Sequence, residues 1–277
     1  MLQDSRCLIT GIAGFLGSHL AERLLREGAS VIGVDNFITG KKENLRHLYR
    51  EGFRFVYHDV VKPLDLSEEF DFIFHFASPA SPVHYEWYPL ETALVNSVGT
   101  QHLLELALRG NTRVVLASTS EVYGDPMVHP QTEDYNGNVN VIGPRACYDE
   151  SKRFAETLAH IYHQEFGLDV TILRIFNTYG PRMRRDDGRV ISNFVTQALK
   201  GAPLTIYGDG SQTRSLCYVD DLIEGIVKSS LVDVPEIVLN LGNPEELRII
   251  ELADIVKELT GSTSQKVFMS AKRDEPM

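Results

Sequence analysis

The sequence predicts an α/β protein: a doubly wound parallel sheet with helices on both faces, followed by a smaller C-terminal lobe. Three observations predict it. Short apolar runs alternate with amphipathic stretches through the first half of the chain. Those runs are apolar at consecutive positions, as strands covered on both faces must be. After Phe176 the alternation gives way to a stretch rich in Gly, Pro, Arg and Asp, so a differently built region follows.

The elements follow in order. Residues 7–10 form a short strand. Residues 15–27 place Leu16, Leu20 and Leu24 at helical spacing, and Gly28 stops the helix. Residues 31–34 are the next strand, closed by Asp35. Strands at 53–57 and 72–75 follow, then a long helix over 89–109, a fully buried strand at 114–117, a helix over 149–166 and a strand at 170–175. Residues 177–188 are a loop. Gly201-Ala202-Pro203 and Gly208-Asp209-Gly210 are turns around a strand at 204–207. Residues 220–231 are helical, 237–240 return to the sheet, 252–259 are a last helix and 267–269 a last apolar run. The expected division is residues 1–176, rejoined at about 220–241, for the sheet domain, and 177–219 with 242–277 for the smaller lobe.

Composition sets the outer bounds. A chain of 277 residues can hold one large α/β domain, or a core with a lobe. A hydrophobic fraction of 43% and only 33 Gly plus Pro exclude a collagenous or broadly disordered chain. The net charge of −11 repels nucleic acid and anionic membranes, so neither is an expected partner. An anionic substrate would need its own cluster of Arg, Lys and backbone N–H groups. The longest apolar run, near residues 70–77, is broken by Asp71 and His75 and is far shorter than the roughly 18 residues of a membrane helix. The N-terminus leads straight into a strand and lacks the pattern of a signal peptide. Cys7, Cys147 and Cys217 are odd in number and have no CxxC spacing, so neither a disulfide frame nor a metal site is expected. The cytoplasm is the expected compartment.

The segment Thr10-Gly11-Ile12-Ala13-Gly14-Phe15-Leu16-Gly17 has glycines at GxxGxxG spacing between the first strand and the first helix. Gly11, Gly14 and Gly17, with the N–H groups of Phe15 and Leu16, suit a pyrophosphate at a helix N-terminus. Asp35 ends the second strand, where a carboxylate can accept both ribose hydroxyls of an adenosine. It repels a 2′-phosphate, which favours NAD over NADP. Asn36 follows it. Asp59 and Val60, after the third strand, are candidates for the adenine edge, and Ala77 for the floor beneath the cofactor. A Rossmann-type dinucleotide-binding domain is the reading.

Two strand ends turn polar. One runs into Ser118-Thr119-Ser120-Glu121-Val122-Tyr123-Gly124, the other into Asn177-Thr178-Tyr179-Gly180-Pro181. Tyr148 and Lys152, four apart at the start of a helix, share one face. A phenol is a poor base at neutral pH. A neighbouring ammonium and an oxidised nicotinamide favour the phenolate. Thr119 can hold an alcohol oxygen beside Tyr148 while its carbon gives hydride to the nicotinamide. A YxxxK pair alone is more often a surface pair; the glycine turn ahead of it reverses the balance.

Together the glycine turn, Asp35, the Thr119–Glu121 segment and the Tyr148–Lys152 pair resemble the extended short-chain dehydrogenase/reductase family. Within it the chain is similar to the UDP-glucuronate decarboxylases, which make UDP-xylose. The stretches that carry this likeness include Ala77-Ser78-Pro79-Ala80-Ser81-Pro82, Gly143-Pro144-Arg145-Ala146-Cys147-Tyr148, Phe176-Asn177-Thr178-Tyr179-Gly180-Pro181-Arg182-Met183 and Gly208-Asp209-Gly210-Ser211-Gln212-Thr213-Arg214. They span almost the whole chain. The resemblance implies NAD-dependent oxidation at C4, loss of CO2 from the resulting β-keto acid and return of hydride at C4. It implies catalytic roles for Thr119, Ser120, Glu121, Tyr148 and Lys152. Related 4,6-dehydratases carry Asp-Glu where this chain has Ser120-Glu121, and 4-epimerases generally lack the Glu. A UDP-sugar epimerase or dehydratase, or a sensor without turnover, are the alternative readings.

The same resemblance places Asn177 and Arg214 on the UDP diphosphate and Tyr207 beside uracil. Arg182 and Arg189 are further candidates for the diphosphate. Ser81, Pro82 and Tyr85 are expected on the sugar side, and Arg184 and Arg185 in a solvated loop. The family continues past the last residues seen here with a basic segment and a final helix, and an Arg there contacts the substrate carboxylate. Arg273 lies near that position without matching it, so the sequence is expected to be truncated inside a family motif. A homodimer is expected, with helices 89–109 and 149–166 packing on their copies; Ala93, Leu104 and Ala155 suit either that interface or an ordinary core.

Overall fold

The structure, a computed structural model, describes residues 2–232 and 237–270; Arg273 lies outside the described residues. In chain order the first elements are β1 (Arg6–Thr10), α1 (Phe15–Arg26), β2 (Ser30–Asp35), β3 (Phe53–Tyr57) and β4 (Phe72–His75). Then come α2 (Pro82–Trp87), α3 (Pro89–Leu94), a π turn at Val95–Gly99 and α4 (Thr100–Gly110). β5 (Arg113–Thr119), a 3-10 turn at Ser120–Tyr123, α5 (Ala146–Phe166) and β6 (Val170–Ile175) follow. The remainder is β7 (Thr178–Tyr179), α6 (Val190–Leu199), β8 (Leu204–Tyr207), β9 (Thr213–Ser215), β10 (Cys217–Tyr218), α7 (Val219–Ser230), β11 (Ile237–Leu241), β12 (Glu246–Arg248), α8 (Ile249–Thr260) and β13 (Lys266–Met269).

Seven parallel strands make the central sheet, in the order β11-β6-β5-β4-β1-β2-β3. Side chains alternate across a strand, and the two cores sort accordingly. Cys7, Ile9, Val31, Phe74, Val115 and Leu173 pack on one face against Leu20 and Leu24 of α1 and Leu222, Ile223 and Ile226 of α7. Leu8, Val34, Ile73, Val114, Leu116 and Ile172 pack on the other, against Leu103, Leu104 and Ala107 of α4 and Ala155 and Ala159 of α5. Both faces are thus covered, which explains why the strands are apolar at successive positions. A third cluster, built from Phe194, Ala198, Leu204, Ile206, Ile249, Leu252, Ala253 and Val256, lies outside the sheet. It joins α6 and α8 to the β8–β13 pair.

Two expectations are corrected, and one open alternative is decided. The helix over 89–109 is interrupted by the π turn at Val95–Gly99. Hydroxyls serve carbonyls around the wider turn: Ser97 Oγ donates to Ala93 O (2.6 Å) and Thr100 Oγ1 to Asn96 O (2.8 Å). The strand expected to stop at Ala117 continues to Thr119, because Ser118 and Thr119 pair with Arg174 and Ile175 of β6. Leu104 and Ala155 are each 1% exposed and belong to the chain's own core. Among the described residues no helix is long and apolar enough to cross a membrane.

Candidate active site

Strand order reverses between β1 and β4, and ligands of open parallel sheets lie beyond such a point. The glycine turn occupies that position. Gly11 has φ +72°, and a Cβ there would meet Phe76 O at 2.6 Å. A Cβ on Gly17 would collide with Gly11 O. The glycines thus let backbone pack on backbone at the first turn of α1, whose N–H groups have no intrahelical acceptor. His75 props the turn from below. Its ring nitrogens meet Thr10 Oγ1 at 2.8 Å and Thr100 Oγ1 at 3.2 Å, and Thr10 Oγ1 accepts from Ala77 N–H at 3.3 Å. Complete burial pushes His75 down to about 3, so it is a neutral structural ring at physiological pH.

Two hollows meet at this turn. A smaller one of about 140 Å³ is lined by Asp35, Asn36, Asp59, Val60 and Ala77. A larger cleft of about 520 Å³ is lined by Phe15, Leu16 and Gly17, by Thr119, Ser120, Glu121, Tyr148 and Lys152, and by Ser81, Tyr85, Asn177, Arg182, Arg189, Tyr207 and Arg214. Gly11, Gly14, Thr39, Phe76 and Ser78 border both, so one channel runs from Asp35 to Tyr148. Asp35 is held by Ala13 N–H at 2.9 Å and Phe37 N–H at 2.7 Å, one on each oxygen. Each oxygen keeps a second lone pair for a hydroxyl donor. The Asp35 acceptors, the glycine turn and the channel's course fit a dinucleotide with its adenosine at Asp35.

At the other end Tyr148 is buried and stacks on Tyr85, with centroids 5.2 Å apart and planes at 11°. Thr119 Oγ1 accepts from Glu121 N–H at 3.2 Å. Lys152 Nζ donates to Ala117 O at 2.7 Å and lies 5.9 Å from the Tyr148 ring centroid. Burial raises Tyr148, against the lowering pulls of Thr119, Arg189 and Arg145. Burial also pushes Lys152 down to about 7, against the pull of Glu156. Desolvation outweighs attraction at both groups, so Lys152 exchanges a proton readily near neutrality.

Reading the sequence did not single out Arg145 or Asp149. Arg145 caps α5 and forms an ion pair with Glu121. Its Nε lies 3.7 Å from Asp149 Oδ2. Burial pushes Asp149 up to about 6, against the attraction of Arg145. The folded protein therefore holds this proton more tightly than the unfolded chain does. The stability that proton confers is complete below pH 3.8 and is lost as pH rises through about 6. At pH 8 the buried carboxylate costs on the order of 3 kcal/mol. Asp149→Asn is expected to raise the melting temperature at pH 8 far more than at pH 4. Thermal melts at the two pH values check this, and an equal shift at both would contradict it.

Ser81, Arg182, Arg189 and Arg214 line the cleft and already have partners. Ser81 Oγ shares a 2.7 Å hydrogen bond with His84 Nδ1, and His84 Nε2 is buried without a partner. Arg182 pairs with Glu22, and Arg189 with Asp187. Arg189 acts electrostatically on Tyr148 and Tyr85, so its charge bears on the tyrosine end. Arg214 Nη1 donates to Thr213 O at 2.7 Å. The solvated-loop expectation for Arg184 is corrected. It lines the cleft, donates to Thr39 O at 3.2 Å and pairs with Asp186 at 2.7 Å, tying the 182–189 loop to the loop after β2.

A seven-stranded parallel sheet, a glycine turn at its switch point and a Thr–Tyr–Lys cluster opposite define a dinucleotide-binding α/β protein of the short-chain dehydrogenase/reductase class. Residues 7–242 match the NAD dependent epimerase/dehydratase family, and the chain belongs to it. It is 52% identical over 274 residues to UDP-glucuronic acid decarboxylase 1 of Xenopus tropicalis, covering 98% of this chain and 64% of that protein. It is 50% identical over 275 residues to UDP-glucuronic acid decarboxylase 6 of Arabidopsis thaliana, covering 99% of this chain and 79% of that one. The chain thus spans just under two thirds of the Xenopus relative's length. Among solved structures it is similar to a UDP-N-acetylglucosamine 4-epimerase from Methanobrevibacter ruminantium M1, in complex with UDP-N-acetylmuramic acid. The TM-score is 0.90 and the identity 28%, over 99% of this chain and 88% of that one. It is also similar to UDP-glucuronic acid 4-epimerase from Bacillus cereus, in complex with UDP-glucuronic acid and NAD. There the TM-score is 0.87 and the identity 32%, over 98% and 88% of the chains.

Proposed function

We propose that this chain decarboxylates UDP-glucuronate to UDP-xylose with NAD as a recycled cofactor. The observation that carries the reading is the identity of about half its residues, along nearly all its length, with UDP-glucuronic acid decarboxylases. Glu121 beside Thr119 and Tyr148 in the cleft supports it.

NAD, when bound, accepts hydride from C4 of the sugar and later returns it. The chain's own residues do the rest. Asp35 receives the adenosine ribose hydroxyls, with Asn36, Asp59, Val60 and Ala77 around that end. The turn from Gly11 to Gly17 offers N–H groups to the pyrophosphate. Thr119 Oγ1 holds the C4 oxygen against Tyr148 Oη, which takes its proton on oxidation and gives it back on reduction. Lys152 supplies charge beneath the phenol and relays its proton. Once C4 is a ketone, the C6 carboxylate is β to it and leaves as CO2, its electron pair passing into the enolate. Ser120 and Glu121 serve that step and the delivery of one proton to C5. Asn177, Arg182 and Arg214 hold the diphosphate, Tyr207 the uracil, and Ser81 and Tyr85 the sugar side; Arg189, expected on the diphosphate, is reassigned to the sugar side because its charge acts on Tyr148 and Tyr85.

The sheet with its return at about 220–241 is the cofactor-binding part, and 177–219 with 242–277 the substrate-binding part. The third apolar cluster supports that division. The functional unit is a homodimer formed through the helical segments 89–109 and 149–166. Phe154 and Ile161, two turns apart on α5, and Leu90 on α3 keep 49%, 43% and 66% of their surface in solvent, which supports that face. Three free thiols suit a reducing compartment such as the cytoplasm.

The test is incubation with UDP-glucuronate and NAD, followed by proton NMR. UDP-xylose is the expected product. UDP-galacturonate would transfer the chain to the epimerases, and NAD binding without turnover would leave a sensor.

A further inference from the structure

We propose that Arg145 is a positioning residue that clamps Glu121 in the cleft for the carbon dioxide-releasing half of the reaction. The inference deepens the decarboxylase reading and rests on it. Arg145 immediately precedes α5 and caps its first turn: Tyr148 N–H and Asp149 N–H both donate to Arg145 O, at 2.9 and 3.0 Å. The backbone that fixes Tyr148 therefore also fixes the root of Arg145. Its side chain is 18% exposed, and its Nη2 donates to Glu121 Oε2. Glu121 is rooted just as firmly, by its N–H on Thr119 Oγ1. With both roots held, the ion pair removes the freedom left in the Glu121 side chain.

The clamp has a second arm. Arg145 Nε and Asp149 Oδ1 are buried without hydrogen-bond partners, and Nε lies 3.7 Å from Asp149 Oδ2. Asp149 thus backs the guanidinium from behind without engaging it fully, which leaves Nη2 directed at Glu121. Four other cations of the cleft are engaged elsewhere: Arg182 with Glu22, Arg184 with Asp186, Arg189 with Asp187 and Lys152 with Ala117 O. Without Arg145, Glu121 would face an incoming sugar carboxylate with no counter-charge of its own, and like charges would push it off its station. An Arg suits this task better than a Lys, since its planar fork fixes a carboxylate's direction as well as its charge.

A double-mutant cycle tests this, with CO2 release from UDP-glucuronate and NAD as the readout. Arg145→Met is expected to lower kcat by about 30-fold and to move KM by about threefold or less, the pattern of a misplaced group. Arg145→Lys should recover part of the loss. In a Glu121→Ala background, adding Arg145→Met should cost about twofold or less, because its client is gone. Should Arg145→Met leave Asp149 too poorly compensated to fold, Arg145→Met/Asp149→Asn carries the same cycle. Losses that multiply in the double variant would overturn the proposal while leaving the decarboxylase reading intact, as would a kcat within threefold of the parent in Arg145→Met. A parent enzyme that releases no CO2 would overturn the functional reading, and this proposal with it.

Discussion

Tyr148→Phe is expected to lower turnover of UDP-glucuronate by about 10³-fold while NAD still binds. The substitution removes one oxygen and little else. The ring stays stacked on Tyr85 and stays buried, so the apolar contacts of the site survive. Lys152 keeps its hydrogen bond to Ala117 O, and Thr119 keeps the Glu121 N–H. What is lost is the one group that can accept the C4 proton within reach of Thr119. Tyr85 offers no substitute: its hydroxyl is buried without a partner, and burial raises its pKa well above the ordinary phenol value. NMR-monitored turnover with a parallel NAD titration checks the prediction. A variant retaining a tenth of the parent rate would remove Tyr148 from the proton path, and lost NAD binding would make it a cofactor ligand first.

The parts of this site that could be read from the sequence are those whose chemistry fixes a local spacing. A helix N-terminus built for pyrophosphate needs glycines at set intervals, and a phenol–ammonium pair on one helical face needs four residues. Gly11, Gly14, Gly17, Tyr148 and Lys152 all lie along the cleft. Arg145 and Asp149 lie three and one residues from Tyr148, yet their meaning comes from Glu121, 24 residues before Arg145, and only the fold brings that carboxylate to them. The i,i+3 spacing of Arg145 and Tyr148 was the one local hint. Arg184 was illegible for the same reason: the contact that ties it into the cleft is the Thr39 carbonyl, 145 residues away. The π turn escaped because one wider turn barely shifts a 3.6-residue pattern, and both flanking helices still face the core. α2 and α6 were also missed. The first has only six residues, and the second lies among turn signals that read as loop.

Glu156→Leu is expected to destabilise the protein by about 3–5 kcal/mol, the usual consequence of removing one member of a buried ion pair. Glu156 on α5 and Arg174 on β6 are each 13% exposed at the side chain and lie 2.8 Å apart. Arg174 also donates to Tyr123 Oη at 2.9 Å and Glu133 O at 2.8 Å, and Ser118 Oγ donates to Glu156 at 2.5 Å. Leucine would leave the Arg174 guanidinium buried without its carboxylate and Ser118 without its acceptor. Replacing both charges, as in Glu156→Leu/Arg174→Met, should recover most of the loss, since two apolar groups leave no unpaired charge. Urea denaturation of both variants decides the matter; a single variant within about 1 kcal/mol of the parent would show that water reaches this pair. The consequence extends to chemistry. Ser118 immediately precedes Thr119, and Tyr123 closes the turn that carries Glu121, so this network holds both polar ends of the reaction site to the sheet. The double variant should therefore be stable yet slow, because its strand-end turn would be packed by apolar contact and no longer registered by hydrogen bonds.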